Sequence, residues 1–180
     1  MRKIQFLAVV AFAVMANVAV AQTNAIKINI LSPVARTFNI AYEKAISETG
    51  SFQLGFYYTG AKSGDLKLSG FGITPEYRFY LSQTPAPNGF YVAPFIRYTN
   101  YKLTYDDGTD KAEGTLTSFG GGVVVGRQWV FKERVTFDIF IGPKYQSTDT
   151  KTDSGDANDL TINAFNNFGI RGGVTLGLAF

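Results

Sequence analysis

The stretch NFGIRGGVTLGLAF, residues 167–180, decides the fold. Its alternate residues are large and apolar, interrupted by one glycine, and those between them are small or polar. The apolar set is Phe168, Ile170, Val174, Leu176, Leu178 and Phe180. This period of two predicts a β-strand with one apolar face. A soluble sheet would bury such a face in a core, whereas a membrane barrel would turn it toward lipid.

The first 21 residues have the layout of a cleavable secretory signal peptide. Two basic residues precede a long apolar run, and the small residues Ala-Val-Ala at 19–21 end it. This pattern predicts cleavage between Ala21 and Gln22 and leaves residues 22–180 as one domain. A transmembrane helix is the alternative interpretation, but no stop-transfer flank follows the apolar run.

The composition argues against several classes of function. The sequence has no His and no Cys, which removes the usual general base, the usual activated nucleophile and the commonest metal ligands. The lack of Cys also argues against a lipid-anchored lipoprotein. Without the two basic residues of the signal peptide, 15 basic residues face 14 acidic ones. The basic residues are scattered, so no nucleic-acid partner is predicted.

Eight segments alternate apolar and polar residues, and turn-forming clusters separate them. They cover residues 25–31, 37–46, 51–60, 66–81, 90–105, 115–129, 135–145 and a last strand that starts within 160–167. Polar loops are expected at 106–114 and 147–159. An even number of strands, with short turns on one rim and longer loops on the other, predicts an eight-stranded antiparallel transmembrane β-barrel.

The sixth segment has the least certain register. Phe119, Val123 and Val125 share one face, but Arg127 falls on the same face. Leu116 and Val124 lie opposite. The glycines at 120–122 indicate either a β-bulge or a close approach of another backbone.

Charged residues fall on the face opposite the aromatic residues. This set comprises Lys27, Glu43, Glu76, Arg78, Arg97, Asp138, Lys144 and Arg171. A soluble barrel would point these charges outward, whereas a membrane barrel points them into its interior. The aromatics gather toward both ends of the strands, as in the girdles of membrane barrels, which favours the second arrangement. We therefore expect the charges to pair across a filled interior and to form a structural network.

Three runs carry a family resemblance: NAIKINILSPVARTFNIAYEKAI (24–46), GFYVAPFIRY (89–98) and VVVGRQWVF (123–131). They resemble a family of small bacterial outer-membrane β-barrels of unknown function, and more distantly the OmpX-type barrels. The resemblance covers essentially all of 22–180 and implies no active site. The C-terminal residues Leu176, Leu178 and Phe180 are similar to the signal that the barrel-insertion machinery reads.

Two patterns could carry chemistry, and both have a simpler interpretation. Glu76 and Arg78 lie two apart on one strand face and could form an acid/base pair, but a structural ion pair is favoured. The acidic stretches 106–110 and 153–159 could bind calcium, yet neither has the EF-hand spacing. No catalytic residue, metal or cofactor is therefore predicted.

The sequence thus predicts a protein of the Gram-negative outer membrane with a side-chain-filled barrel and a structural or surface-interaction role. Its expected partners are outer-membrane lipid and, during biogenesis, the insertion machinery. A narrow pore for small solutes is the first alternative. A lipid-modifying enzyme and a soluble lipocalin-like binder follow, and the sequence sets no oligomeric state.

Overall fold

Eight antiparallel strands form one closed ring in the computed structural model, which describes residues 23–106, 111–154 and 167–180. The strands are β1 (Asn24–Asn29), β2 (Thr37–Ala45), β3 (Gly50–Ser63), β4 (Leu66–Tyr80), β5 (Gly89–Asp106), β6 (Lys111–Phe131), β7 (Val135–Ser154) and β8 (Asn167–Ala179). Each strand pairs with its sequence neighbours, and β1 pairs with β8 to close the ring. The predicted all-β, eight-stranded antiparallel barrel is confirmed. The expected signal peptide and its Ala21–Gln22 cleavage site lie outside the described residues.

The connections give the barrel two different ends. At the turn end, short connections at 46–49, 81–88 and 132–134 join the strands, and the described chain begins and ends there. At the loop end, β1 and β2 are joined through a 3-10 helix, Ser32–Ala35. Within the described ranges no helix is both long enough and apolar enough to span a bilayer.

The strands at the loop end are longer than the alternation predicted. Pairing of β5 with β6 continues from the Thr104–Glu113 pair to Asp106–Lys111, and β7 remains paired with β6 as far as Ser154. The expected loops at 106–114 and 147–159 are therefore partly strand, although 107–110 and 155–166 lie outside the described residues. The reason is visible inside the barrel, where a buried apolar cluster supports this polar-looking region; it consists of Leu103, Ala112 and Leu116.

The side chains face as expected for a membrane barrel, with apolar residues outward and charged residues inward. Phe168 is 81% exposed and Ile139 is 44% exposed on the outside of the ring. Arg78 and Asp138, by contrast, are fully buried inside it. Apolar residues thus cover most of the outer surface, where Arg127 is also exposed, and polar and charged groups fill inward positions along the same strands.

In β6 the glycines permit close approach of the neighbouring strand. Leu116 and Val124 are buried and Val123 is exposed, which settles the register of this strand. The pairing of β6 with β7 runs through all three glycines without a bulge, and its irregularity lies instead at Glu113/Gly114. A Cβ at Gly122 would collide with the backbone carbonyl of Pro143. Close backbone approach, rather than a bulge, explains the glycine run.

This contact predicts a position-dependent effect of alanine. Gly122→Ala should lower the free energy of unfolding by about 1–3 kcal/mol, because the rigid β7 backbone must move to admit the methyl group. Gly55→Ala is the matched control, since its Cβ would meet its nearest atom at 3.6 Å. Urea unfolding of refolded protein, followed by tryptophan fluorescence, measures both. Equal midpoints for the two variants would contradict the assignment.

Candidate functional site

Five of the predicted charged residues meet in the half of the barrel nearer the turn end. They are Lys27 on β1, Glu43 on β2, Glu76 and Arg78 on β4, and Asp138 on β7. All five point inward because each occupies the polar phase of its strand's alternation, and none is more than 2% exposed. We call these five residues the core network.

Arg78 lies at the centre of the core network. Its Nε donates to Glu76 Oε1 at 2.7 Å, and its Nη1 donates to Asp138 Oδ2 at 3.0 Å. A third carboxylate, that of Glu43, lies 3.8 Å from Nη1. The guanidinium also packs on the ring of Tyr91, 4.3 Å from its centroid. One buried cation is thus shared among three carboxylates from three strands.

Lys27 supplies the second cation of the core network. It forms a close ion pair with Glu43 and lies 3.8 Å from Asp138. Its Nζ also donates to Gln128 Oε1 at 2.6 Å. Because a buried charge is costly unless it is paired and hydrogen-bonded, these contacts are what make burial of Lys27 tolerable.

Neutral side chains that the sequence reasoning did not select complete the site. Gln128 donates to Glu43 at 3.0 Å and to the carbonyl of Pro87 at 2.8 Å, so it ties the network to the 81–88 connection. Tyr80 donates to Glu43 and Tyr91 donates to Asp138, each at 2.8 Å. The strand alternation places all three on the inward face, which is the one signal that could have identified them.

Arg171 extends the network toward the loop end. Its Nη1 donates to Glu76 Oε2 at 2.6 Å, and its guanidinium packs against the rings of Phe95 and Phe140. Glu76 therefore bridges Arg171 and Arg78. Since Glu76 is held by two guanidinium groups, the contacts fit a structural ion pair rather than a proton-transferring acid/base pair.

Arg97 and Lys144 do not join this network. Arg97 Nε donates to Thr74 Oγ1 at 3.0 Å, and its guanidinium lies over the ring of Tyr57. Lys144 Nζ donates to Gln146 Oε1 at 2.9 Å. Among the described residues, neither cation has a carboxylate within 4 Å. Within the described residues, six of the eight predicted charges therefore lie in ion pairs with one another, and Arg97 and Lys144 do not.

The remaining predicted positions lie on the outside or at the end of the barrel. Leu176 and Leu178 are exposed on the outer face of β8, and Phe180 follows directly. The backbone N–H of Phe180 donates to the carbonyl of Asn24 and so fastens the C-terminus beside β1. In the part of the chain that the structure describes, no three His, Cys, Asp or Glu residues group as a metal site would require.

The core network predicts a large difference between buried and exposed cations. Arg78→Met should lower the free energy of unfolding by about 3–5 kcal/mol, because the buried carboxylates of Glu43 and Asp138 would then share Lys27 as their one near cation and Glu76 would keep only Arg171. The matched control is Lys102→Met, whose side chain is 52% exposed and pairs with Glu113 at 2.7 Å. That change should cost at most about 1 kcal/mol. A folded barrel runs at a different position on a gel when it is not heated, and the urea concentration at which half of the protein loses this heat-sensitive gel shift measures the stability of both variants. Similar losses of stability in the two variants would contradict this account.

Comparison with solved structures shows the same kind of fold. The chain is similar to CarO of Acinetobacter baumannii, with a TM-score of 0.51 and 12% identity over 91% of this chain and 100% of that one. It is also similar to a major outer membrane protein of Thermus thermophilus, with a TM-score of 0.53 and 12% identity over 87% and 99% of the two chains. Identities this low speak for the fold alone.

Comparison by sequence identifies the family. No curated protein matches the chain in sequence. A family model described as "Protein of unknown function (DUF3575)" matches residues 5–159, and the resemblance to a family of unknown function noted in the sequence is thereby confirmed. The chain belongs to this DUF3575 family.

Proposed function

We propose that the protein is exported by the signal peptide at 1–21, is cleaved between Ala21 and Gln22, and spans the Gram-negative outer membrane as a barrel of residues 22–180. The apolar outer surface supports this proposal, because a soluble monomer rarely exposes an apolar patch larger than a few hundred Å². Outer-membrane lipid would cover that surface.

The outer face of β6 has a sharp boundary between polar and apolar residues. From the loop end it reads Glu113, Thr115 and Thr117, and then Phe119 and Val123. A tilted strand needs roughly 9–11 residues to cross a bilayer, whereas β6 has 21. The polar segment is the part that would project into water, which matches the exposed ion pair between Lys102 and Glu113 described above.

Aromatic residues mark the same level on adjacent strands. Tyr98 is directly opposite Phe119, and Tyr145 is directly opposite Phe168. Toward the turn end, Trp129 packs on Phe137 with ring centroids 5.6 Å apart. Two aromatic rows flanking an apolar band are typical of both interfaces of a membrane barrel. In this arrangement Leu176, Leu178 and Phe180 would serve as the signal for the insertion machinery.

The role that the interior supports best is structural or surface-interacting, without catalysis. The observation that carries this proposal is the core network, in which Arg78 and Lys27 bind carboxylates from opposite walls of the ring. An eight-stranded barrel is just wide enough for its interior to be filled by side chains, so this layer would leave no water-filled path. The protein would then act through the surface that β5, β6 and β7 raise above the membrane.

A narrow pore remains the second candidate, and one observation favours it. The half of the barrel nearer the loop end contains a cavity of about 250 Å³, so a side-chain layer at the turn end would be the main barrier to passage. Rearrangement of the core network would then open a continuous path.

Conductance separates the two candidates. Wild-type protein reconstituted in planar bilayers should show no discrete current steps, because the core network blocks the interior. Arg78→Ser combined with Asp138→Ser removes one charge of each sign and should open steps, provided that the variant retains its heat-sensitive gel shift. Steps of equal size in wild type and variant would refute the filled-barrel proposal and support the pore.

The lipid-facing assignment has its own test. Ile141→Arg should make the free energy of insertion into vesicles less favourable by about 2–4 kcal/mol, because Ile141 is exposed on the outer face of β7 midway between Phe137 and Tyr145 and the charge would lie near the bilayer midplane. Val34→Arg is the control, since Val34 lies in the 3-10 helix at the loop end and is 88% exposed. Unimpaired insertion of Ile141→Arg, measured by protease protection, would mean that this face does not contact lipid.

A further inference from the structure

A cavity of about 250 Å³ lies between the core network and the loop end, and we call it the upper cavity. Its walls come from β1, β2, β3, β4, β5, β7 and β8. Its lining includes Arg97, Arg171, Tyr57, Gln53 and Thr175. At about 30 Å³ per molecule of liquid water, this volume suits a solute rather than a single water.

The cavity has an excess of positive charge. Lys27, Arg78 and Arg171 balance Glu43, Glu76 and Asp138, so the paired charges sum to zero. Arg97 stands above this neutral layer, and in the described part of the chain no carboxylate lies within 4 Å of it. The guanidinium has five N–H donors, of which the Nε–H bonds Thr74. No described residue accepts a hydrogen bond from its two terminal nitrogens, which could hold a planar anion.

The lining also holds buried polar atoms with unused bonding capacity. Gln53 Oε1 and Thr175 Oγ1 have no hydrogen-bond partner among the described residues. Gln53 is 4% exposed and Thr175 is 8% exposed. Buried polar atoms in native structures nearly always have partners. An acceptor such as Gln53 Oε1 requires a hydroxyl or amino donor, which an inorganic anion such as chloride does not supply.

The aromatic side of the cavity is polar at its edge. The hydroxyl groups of Tyr57 and Tyr101 are hydrogen-bonded, with their oxygens 2.8 Å apart. The guanidinium carbon of Arg97 lies over the ring of Tyr57, 5.2 Å from the ring centroid. Packing against a ring reduces the conformational freedom of a long side chain and fixes the direction of the guanidinium N–H donors. Arg97 is thus held in place for a ligand.

The rim of the barrel is low beside this cavity. β1 ends at Asn29 and β2 starts at Thr37, and Asn29, Ser32 and Thr37 all line the cavity. β6 and β7, at 21 and 20 residues, rise on the other side of the ring. The cavity therefore extends to the rim between β1 and β2, on the side where the barrel wall is shortest.

We propose that the upper cavity binds a small hydroxylated organic carboxylate, with Arg97 holding the carboxylate and with the side chains of Gln53 and Thr175 turning toward the cavity to accept its hydroxyl groups. Binding of this kind goes beyond the structural role proposed above and does not require a conducting barrel. The carboxylate would replace the counter-charge that the interior does not provide, and the unused acceptor and hydroxyl would gain partners.

Gluconate and its uncharged counterpart sorbitol test this proposal. Isothermal titration of the refolded barrel in non-ionic micelles at low salt should detect gluconate and not sorbitol. Raising the salt concentration should weaken the binding of gluconate, because part of it is ionic. Equal heats for the two solutes, or gluconate binding that salt does not alter, would overturn the proposal without any variant being needed.

Variants then locate the site. Arg97→Gln should weaken gluconate binding about tenfold or more, because a charge-assisted pair is lost, and Arg97→Lys should restore part of it. Arg134→Gln is the matched control, since Arg134 is exposed in the connection at the opposite end of the barrel. Equal losses in Arg97→Gln and Arg134→Gln would refute the site. A current measured through wild-type protein would refute the filled-barrel proposal and leave this binding result unaffected.

Discussion

The ion pairing of Arg78 is the interaction on which the rest of the interior depends. Its guanidinium contacts Glu76 on its own strand, Asp138 on β7 and Glu43 on β2, so one side chain connects separate walls of the ring. Taking such a charge out of water costs several kcal/mol, and only paired and well-bonded surroundings offset that cost. The network therefore helps to select one register, since a slip of β4 by one residue would turn Arg78 and Glu76 to the outside and leave Glu43 and Asp138 buried without Arg78.

The interior is divided into two layers with different electrostatics. The layer near the turn end is tightly bonded and is neutral when Arg171 is counted with it, and Gln128 anchors it to the 81–88 connection through the carbonyl of Pro87. The layer near the loop end carries Arg97 and Lys144 without matching carboxylates among the described residues. A barrel that needed only stability would gain little from this imbalance, because cations that are partly withdrawn from water and have no carboxylate beside them reduce stability. The upper layer is thus where a function is best sought.

The sequence contains enough to predict the topology and the facing of the strands. Each of the charges Lys27, Glu43, Asp138 and Arg171 occupies the polar phase of a clear alternation, so its inward direction follows from a period of two. Alternation cannot say which charges meet, because Glu43 and Asp138 belong to strands that are not neighbours in the ring. Their common approach to Arg78 depends on the tilt and stagger of the strands. For the same reason the sequence could not show that Arg97 has no carboxylate beside it among the described residues.

The positions at which the strands end were the other feature that could not be predicted from the sequence. At 106–114 the residues are polar and rich in turn formers, which predicts a loop if each segment is considered alone. Inside the barrel, however, Leu103, Ala112 and Leu116 bury one another across the β5–β6 pair. This local apolar contact stabilises pairing beyond the apolar outer band and makes one wall of the ring taller than the wall at β1 and β2. The height difference leaves the rim beside the upper cavity low, so the same three residues that extend the strands also shape the approach to the site.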